Sequence, residues 1–151
     1  MEVDVVTEIS IDRPRSEVAA YAMDPETAPQ WYENIESVVW KTPKPIRVGS
    51  RMDFVARFLG RRLAYTYEVQ ELVPDKRLVM STKEGGPFPM ETTYTWDDTP
   101  TGGTKMTLRN RGRPSGFSRF AAPLMTAAMR RANRKDLRHV KEILESPAGK
   151  T

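Results

Sequence analysis

The sequence contains no cysteine and one histidine, His139. The first absence removes disulfides, thiolate nucleophiles and cysteine-based zinc sites together. A single imidazole cannot build a metal site alone. No apolar run approaches the roughly 18 residues that a membrane-spanning helix needs. Residues 1–11 alternate acidic and apolar side chains where a secretory signal would be basic and then continuously apolar, so a cytoplasmic protein is expected. A nucleophile elbow, a His-x-Glu zinc signature, a Walker loop and a dinucleotide glycine fingerprint are all missing, and no metal or cofactor is expected. The glycine pairs Gly85-Gly86 and Gly102-Gly103 read as hairpin turns.

What is present fits one domain over residues 1–146 with a short tail, 147–151. The net charge of +4 comes from many mixed charges and a basic C-terminal third. It suits solubility better than nucleic-acid binding, since no reading motif accompanies it.

Residues 3–11 alternate as a strand, with Val5, Thr7, Ile9 and Ile11 on one face. Asp12 offers an N-cap to a short helix bearing Val18, Ala19 and Ala22, and Asp24-Pro25 stops it. A second short helix is expected over 26–32, interrupted by Pro29. Strands are predicted at 35–41, 51–59, 62–72, 78–83, 90–96 and 104–111, separated by proline- and glycine-bearing turns. Connections this short leave no room for crossover helices and predict an antiparallel meander. Met52, Phe54, Ala56 and Phe58 share one face of their strand, as do Met90, Thr92, Tyr94 and Trp96, and then Met106, Leu108 and Asn110. That dry face needs a cover, and only the segment 115–145 is long enough to supply it.

This segment is rich in helix formers, with Ser115 as the expected N-cap and a kink expected at Pro123. Counting about 100° per residue, Phe117, Phe120, Leu124 and Ala128 form one stripe, and Met125, Met129, Ala132, Val140 and Ile143 another. The first stripe is expected to cap the mouth of a cavity while the remainder packs as core. Arg130, Arg131, Arg134, Arg138 and Lys141 gather opposite the second stripe. They read as a solvated face, or as a surface for an acidic partner or an anionic membrane.

The order strand, two short helices, six strands and long C-terminal helix resembles the helix-grip fold of the START/Bet v 1-like superfamily. Within it the chain resembles the SRPBCC proteins of the polyketide cyclase/dehydrase and lipid-transport group. The residues carrying the resemblance are Ile11-Asp12-Arg13-Pro14 with Val18 and Tyr21, Asp24-Pro25 with Trp31, and Gly49-Ser50. They continue with Tyr67-Glu68-Val69 and Pro74, Gly86-Pro87-Phe88, Gly103-Thr104, Asp136-Leu137 and Leu144-Glu145. The resemblance implies an α+β domain whose curved seven-stranded antiparallel sheet wraps the last helix around an apolar cavity. It implies no shared catalytic set. The stretch 27–32, Thr-Ala-Pro-Gln-Trp-Tyr, departs from the Tyr-Pro-x-Phe-x-Pro-Trp run of the coenzyme Q-binding branch and disfavours it.

An adaptable apolar wall is expected from Phe54, Phe58, Met80, Met90 and Met106, and from Phe117, Phe120, Leu124 and Met125 on the helix. Tyr65, Tyr67, Thr92, Tyr94 and Asn110 are the expected polar contacts, and Trp31 the lid over one end of the sheet. Tyr65, Tyr67 and Glu84 are the only acid/base candidates that stand out, while His139 reads as surface or rim. The function expected is binding, with transport a further option, of a hydrophobic small molecule such as a lipid or polyketide-like aromatic. A polyketide cyclase or aromatase is the alternative, and an interaction module using the basic helix face a third.

Overall fold

The computed structural model describes residues 2–82, 89–113 and 122–146. Seven strands form one antiparallel sheet in the order β1-β7-β6-β5-β4-β3-β2. They are β1 (Val3–Ile11), β2 (Ile35–Trp40), β3 (Arg51–Phe58), β4 (Arg61–Val73), β5 (Arg77–Thr82), β6 (Met90–Asp98) and β7 (Thr104–Gly112). The expected meander is present, with β1 returning to pair against β7. Register shifts in β2 between Ile35 and Ser37, and in β4 between Val69 and Glu71, insert extra residues that bend the strands. A curved sheet follows, and α3 (Ala122–Glu145) packs against its concave face along β1.

Alternation decides what the sheet hides. In β3, Met52, Phe54 and Ala56 are buried while Arg51 and Arg57 face water; in β6, Thr92, Tyr94 and Trp96 turn inward. The dry residues form two clusters. The larger joins Trp31, Met52, Trp96 and Leu108 to Leu137, Val140 and Leu144 of α3. The smaller joins Val3, Val5 and Met125, with Phe58 and Met129 against it.

Helix α1 (Arg15–Met23) starts later than expected. Asp12 does not cap it: Pro14 holds the N-cap position, and its carbonyl accepts the Glu17 and Val18 amides. The Asp12 amide instead donates to Glu145 Oε2 at 2.8 Å, tying the end of β1 to the end of α3. Asp24 caps a 3-10 turn, Pro25–Thr27, by accepting the Glu26 amide. Helix α2 (Ala28–Trp31) follows, and Pro29 sits in its first turn, where its missing N–H costs nothing, so it does not interrupt the helix. Pro123 likewise falls in the first turn of the described α3; the expected cap at Ser115 lies outside the described residues, as does the chain preceding the expected kink.

Turn chemistry shows why Gly103 is glycine. A Cβ there would lie 2.7 Å from the Ile11 carbonyl oxygen, because the β6–β7 turn crosses tightly over the end of β1. Thr104 completes the crossing by donating to the Arg13 carbonyl at 2.7 Å.

Candidate functional site

Between the two clusters the sheet and α3 leave a cavity of about 130 Å³. Its walls come from both clusters: Phe54, Tyr67, Met80 and Tyr94 from one side, and Val3, Phe58, Met125 and Met129 from the other. Period-two alternation supplies the sheet half. Tyr65 and Tyr67 lie two apart on β4 opposite Phe54 and Met52 of β3, and the rings of Phe54, Tyr65 and Tyr67 have centroids 5.1–5.7 Å apart.

Most of the side chains expected to meet a ligand are brought together here: Phe54, Phe58, Tyr65, Tyr67 and Met80, then Met90, Thr92, Tyr94, Asn110 and Met125. Trp31 is not among them. It is fully buried in the main core behind the cavity wall, stacked on Tyr32 at 4.0 Å and edge-on to Tyr94 at 5.7 Å, so it is a core residue and no lid. Met106 is also plain core. Leu124 points away: 69% exposed, it borders a separate surface groove with Ala127, Ala128 and Leu59. The cavity wall on α3 is therefore the Met125–Met129–Ala132 stripe, because that side faces the sheet; the stripe through Leu124 and Ala128 faces outward. Phe117, Phe120 and Glu84 lie outside the described residues.

The sequence reading missed six polar members, Tyr32, Asn34, Asn133 and Asp136 together with Arg57 and Arg111. Asn133 and Asp136 sit on α3 at the helical period of Met125, Met129 and Val140, in the middle of the apolar stripe. A polar side chain in that position was the available signal. Asn133 is 4% exposed, and its Nδ2 has no hydrogen-bond partner among the described residues. Asp136 is 2% exposed and accepts the Glu33 amide at 3.0 Å. Burial raises its pKa from 3.8 to about 6, against the lowering effect of that amide.

The remaining hydrogen bonds leave the cavity with surplus donors. Thr92 donates to Asn110 Oδ1 at 2.6 Å, which uses its one proton, so at 2.6 Å the Tyr67 hydroxyl donates to Thr92. The Asn110 amide nitrogen makes no hydrogen bond among the described residues. Tyr32 and Tyr94 share one bond at 2.7 Å, which leaves one of their two protons over. The Tyr65 hydroxyl has no partner among the described residues. Burial raises the pKa of all four tyrosines, that of Tyr67 to about 12, so each stays a neutral phenol and a donor at neutral pH.

His139 is held elsewhere. Its Nδ1 lies 3.0 Å from the Trp31 carbonyl, and since a carbonyl only accepts, that nitrogen carries the proton. Among the described residues no group of three or more His, Asp or Glu side chains could hold a metal ion, and no helix is long and apolar enough to cross a membrane. The basic face of α3 holds Arg130, Arg131, Arg134 and Arg138 around one shallow groove. Lys141 is not part of it: its ammonium is tethered to the Ser10 carbonyl at 2.9 Å and to Glu145 at 2.6 Å.

Comparison with known proteins agrees with this architecture. The sequence profile of the family described as polyketide cyclase / dehydrase and lipid transport matches residues 2–145. Among solved structures, TTHA0849 from Thermus thermophilus is 21% identical, with a TM-score of 0.79 and coverage of 92% of this chain and 94% of that one. The Zhui aromatase/cyclase from a Streptomyces species is 14% identical, with a TM-score of 0.78 and 99% of both chains covered. A START superfamily protein from Mycobacterium smegmatis is 12% identical, with a TM-score of 0.78 and coverage of 93% and 98%. No curated protein matches the sequence.

Proposed function

The chain belongs to the polyketide cyclase / dehydrase and lipid transport family, and from that membership we propose that it binds a ring-bearing apolar small molecule carrying carbonyl-type oxygens. The observation that carries this reading is the unpartnered Asn133 amide, buried in an otherwise apolar wall. Leaving such a donor dry costs about 1–3 kcal/mol, a cost that a ligand oxygen would recover. Tyr65 and Asn110 add donors around the same space, and Asp136 adds an acceptor. A pure hydrocarbon would leave the Asn133 amide unsatisfied. The volume suits one aromatic ring, since an apolar cavity of roughly 150 Å³ admits benzene.

Titration calorimetry with an aromatic ketone and its matching hydrocarbon tests this. Asn133→Leu is expected to weaken the ketone about five- to tenfold, the worth of one hydrogen bond, and to leave the hydrocarbon unchanged or tighter. Equal losses for both ligands, or no ketone binding by the unaltered protein, would remove the reading.

The aromatase/cyclase reading is favoured by a different feature, Asp136. A carboxylate with its pKa raised to about 6 inside a cavity of phenols is suited to move a proton in carbon–carbon ring closure, with the phenols polarising a carbonyl. Under this reading Asp136→Asn keeps ketone affinity within about threefold but lowers turnover of a reactive poly-ketone at least about hundredfold, the usual share of a general base. Turnover that survives the substitution would exclude Asp136 from catalysis.

A further inference from the structure

The outer face of α3 gathers arginines without ion pairs. Five arginines on the strands meet carboxylates, in Arg51–Glu68, Arg57–Glu36, Arg77–Glu71, Arg109–Asp4 and Arg111–Glu91. Arg130, Arg131, Arg134 and Arg138 have no carboxylate partner among the described residues, although Lys135 beside them is paired with Glu33. They fall within about one quarter of the helix circumference at 100° per residue.

This cationic strip runs into exposed hydrocarbon. Arg131 borders both the arginine groove and a second groove, where Leu124 faces Leu59. Leu124 is 69% exposed and Leu59 49%. Leu59 sits at the tip of the β3–β4 turn with φ of 49°, a left-handed conformation that asparagine or glycine adopts more easily. A leucine in this conformation with half its surface in water presents hydrocarbon outward at a cost to the turn. From Leu124 to Arg138 the strip is about 20 Å long at 1.5 Å per residue.

We propose that this face of α3 docks on an anionic phospholipid bilayer, with the four arginines against the headgroups and Leu124 and Leu59 entering the hydrocarbon beneath them. The layout favours a bilayer over an acidic protein. Protein interfaces place apolar residues centrally and deplete charge there, with polar groups at the rim. Here two leucines stand at one end of a strip of four arginines, and the one carboxylate lining their groove, Glu33, is neutralised by Lys135, an arrangement that matches headgroup charge lying directly above acyl chains. An acidic protein surface would satisfy the arginines and leave the leucines in water. The same groove shares Asn34, Phe58 and Ala132 with the internal cavity, so a docked molecule would hold the outer side of that wall against the lipid. The docking itself does not depend on what the cavity holds.

Co-sedimentation of the full chain with phosphatidylcholine vesicles, with and without phosphatidylserine, tests the proposal. Retention is expected on the phosphatidylserine vesicles alone, and it falls as salt rises. The combined Arg131→Gln, Arg134→Gln and Arg138→Gln variant is expected to partition about a hundredfold more weakly, at about fivefold per arginine. Leu59→Asn, which relieves the turn, and Leu124→Ser are each expected to lower the binding that persists in raised salt, while Lys105→Gln on the far strand leaves partitioning unchanged. Equal partitioning to both vesicle types overturns the proposal without any variant being needed. So does a triple variant retained as well as the unaltered chain, or binding to an acidic protein with none to vesicles.

Discussion

Asp136 has the buried carboxylate whose ionisation works against the fold. An acid whose pKa is higher in the folded chain than in the unfolded one holds its proton more tightly when folded. Its contribution is therefore complete below the ordinary value of 3.8 and lost as pH rises through about 6. The loss approaches about 3 kcal/mol at neutral pH. Asp136→Asn keeps an acceptor for the Glu33 amide but cannot ionise. The variant is expected to gain stability over the unaltered protein by up to about that amount at about pH 8, and almost none at about pH 4. Urea unfolding at both pH values measures the difference, and parallel behaviour of the two proteins would refute it. Asp136 also marks the limit of the sequence reading. In the sequence it stands out only as one of the residues carrying a resemblance, because on a helix with so many charges a lone aspartate looks wet. Its phase with Met125 and Val140 was readable, but that it meets the cavity follows from where α3 crosses the sheet, which no local pattern encodes.

The strands were far more legible than the helices. Period-two alternation with one dry face located all seven strands to within about two residues, since a register slip of one would turn each hydrophobic set outward. The sheet half of the cavity came with them: Phe54, Tyr65, Tyr67, Thr92 and Tyr94 are inward for the same reason. On α3 the two stripes are separable in the sequence, yet which one meets the sheet is not, so Leu124, expected inside, lies outside. Turns can be tested in the same terms. Gly103 and Thr104 join the β6–β7 turn to the end of β1, and Gly103→Ala forces a methyl group to 2.7 Å from the Ile11 carbonyl. Backbone has to move to accept it, at a cost expected to exceed about 2 kcal/mol. Thermal unfolding measures that loss, whereas Gly102→Ala, in open space but at φ of 84°, reports turn strain alone.

The molecule as a whole is a sheet that α3 clamps at one end and leaves incompletely filled at the other. The clamp is explicit: Asp12, Arg13 and Ser10 at the end of β1 all bond to Glu145 or Lys141 at the end of α3. At the opposite end Val3, Met125 and Phe58 make only a small cluster, and the cavity lies between the two. That asymmetry explains why the family resemblance settled the architecture while leaving the ligand open. The shell depends on apolar alternation, which many sequences satisfy, and the interior depends on a few polar substitutions within it.

Trp31, though no part of the cavity wall, touches Tyr32 and Tyr94, both of which wall the cavity, and its indole N–H is buried without a partner among the described residues. An indole so shielded emits at short wavelength, and a guest that shifts either phenol changes its surroundings at once. The protein thus contains its own optical reporter of occupancy. Intrinsic fluorescence of the unaltered chain is expected to change in intensity on titration with an aromatic ketone and to lose that response in Trp31→Phe. A response that persists in the variant would assign the signal to Trp40 or Trp96 instead.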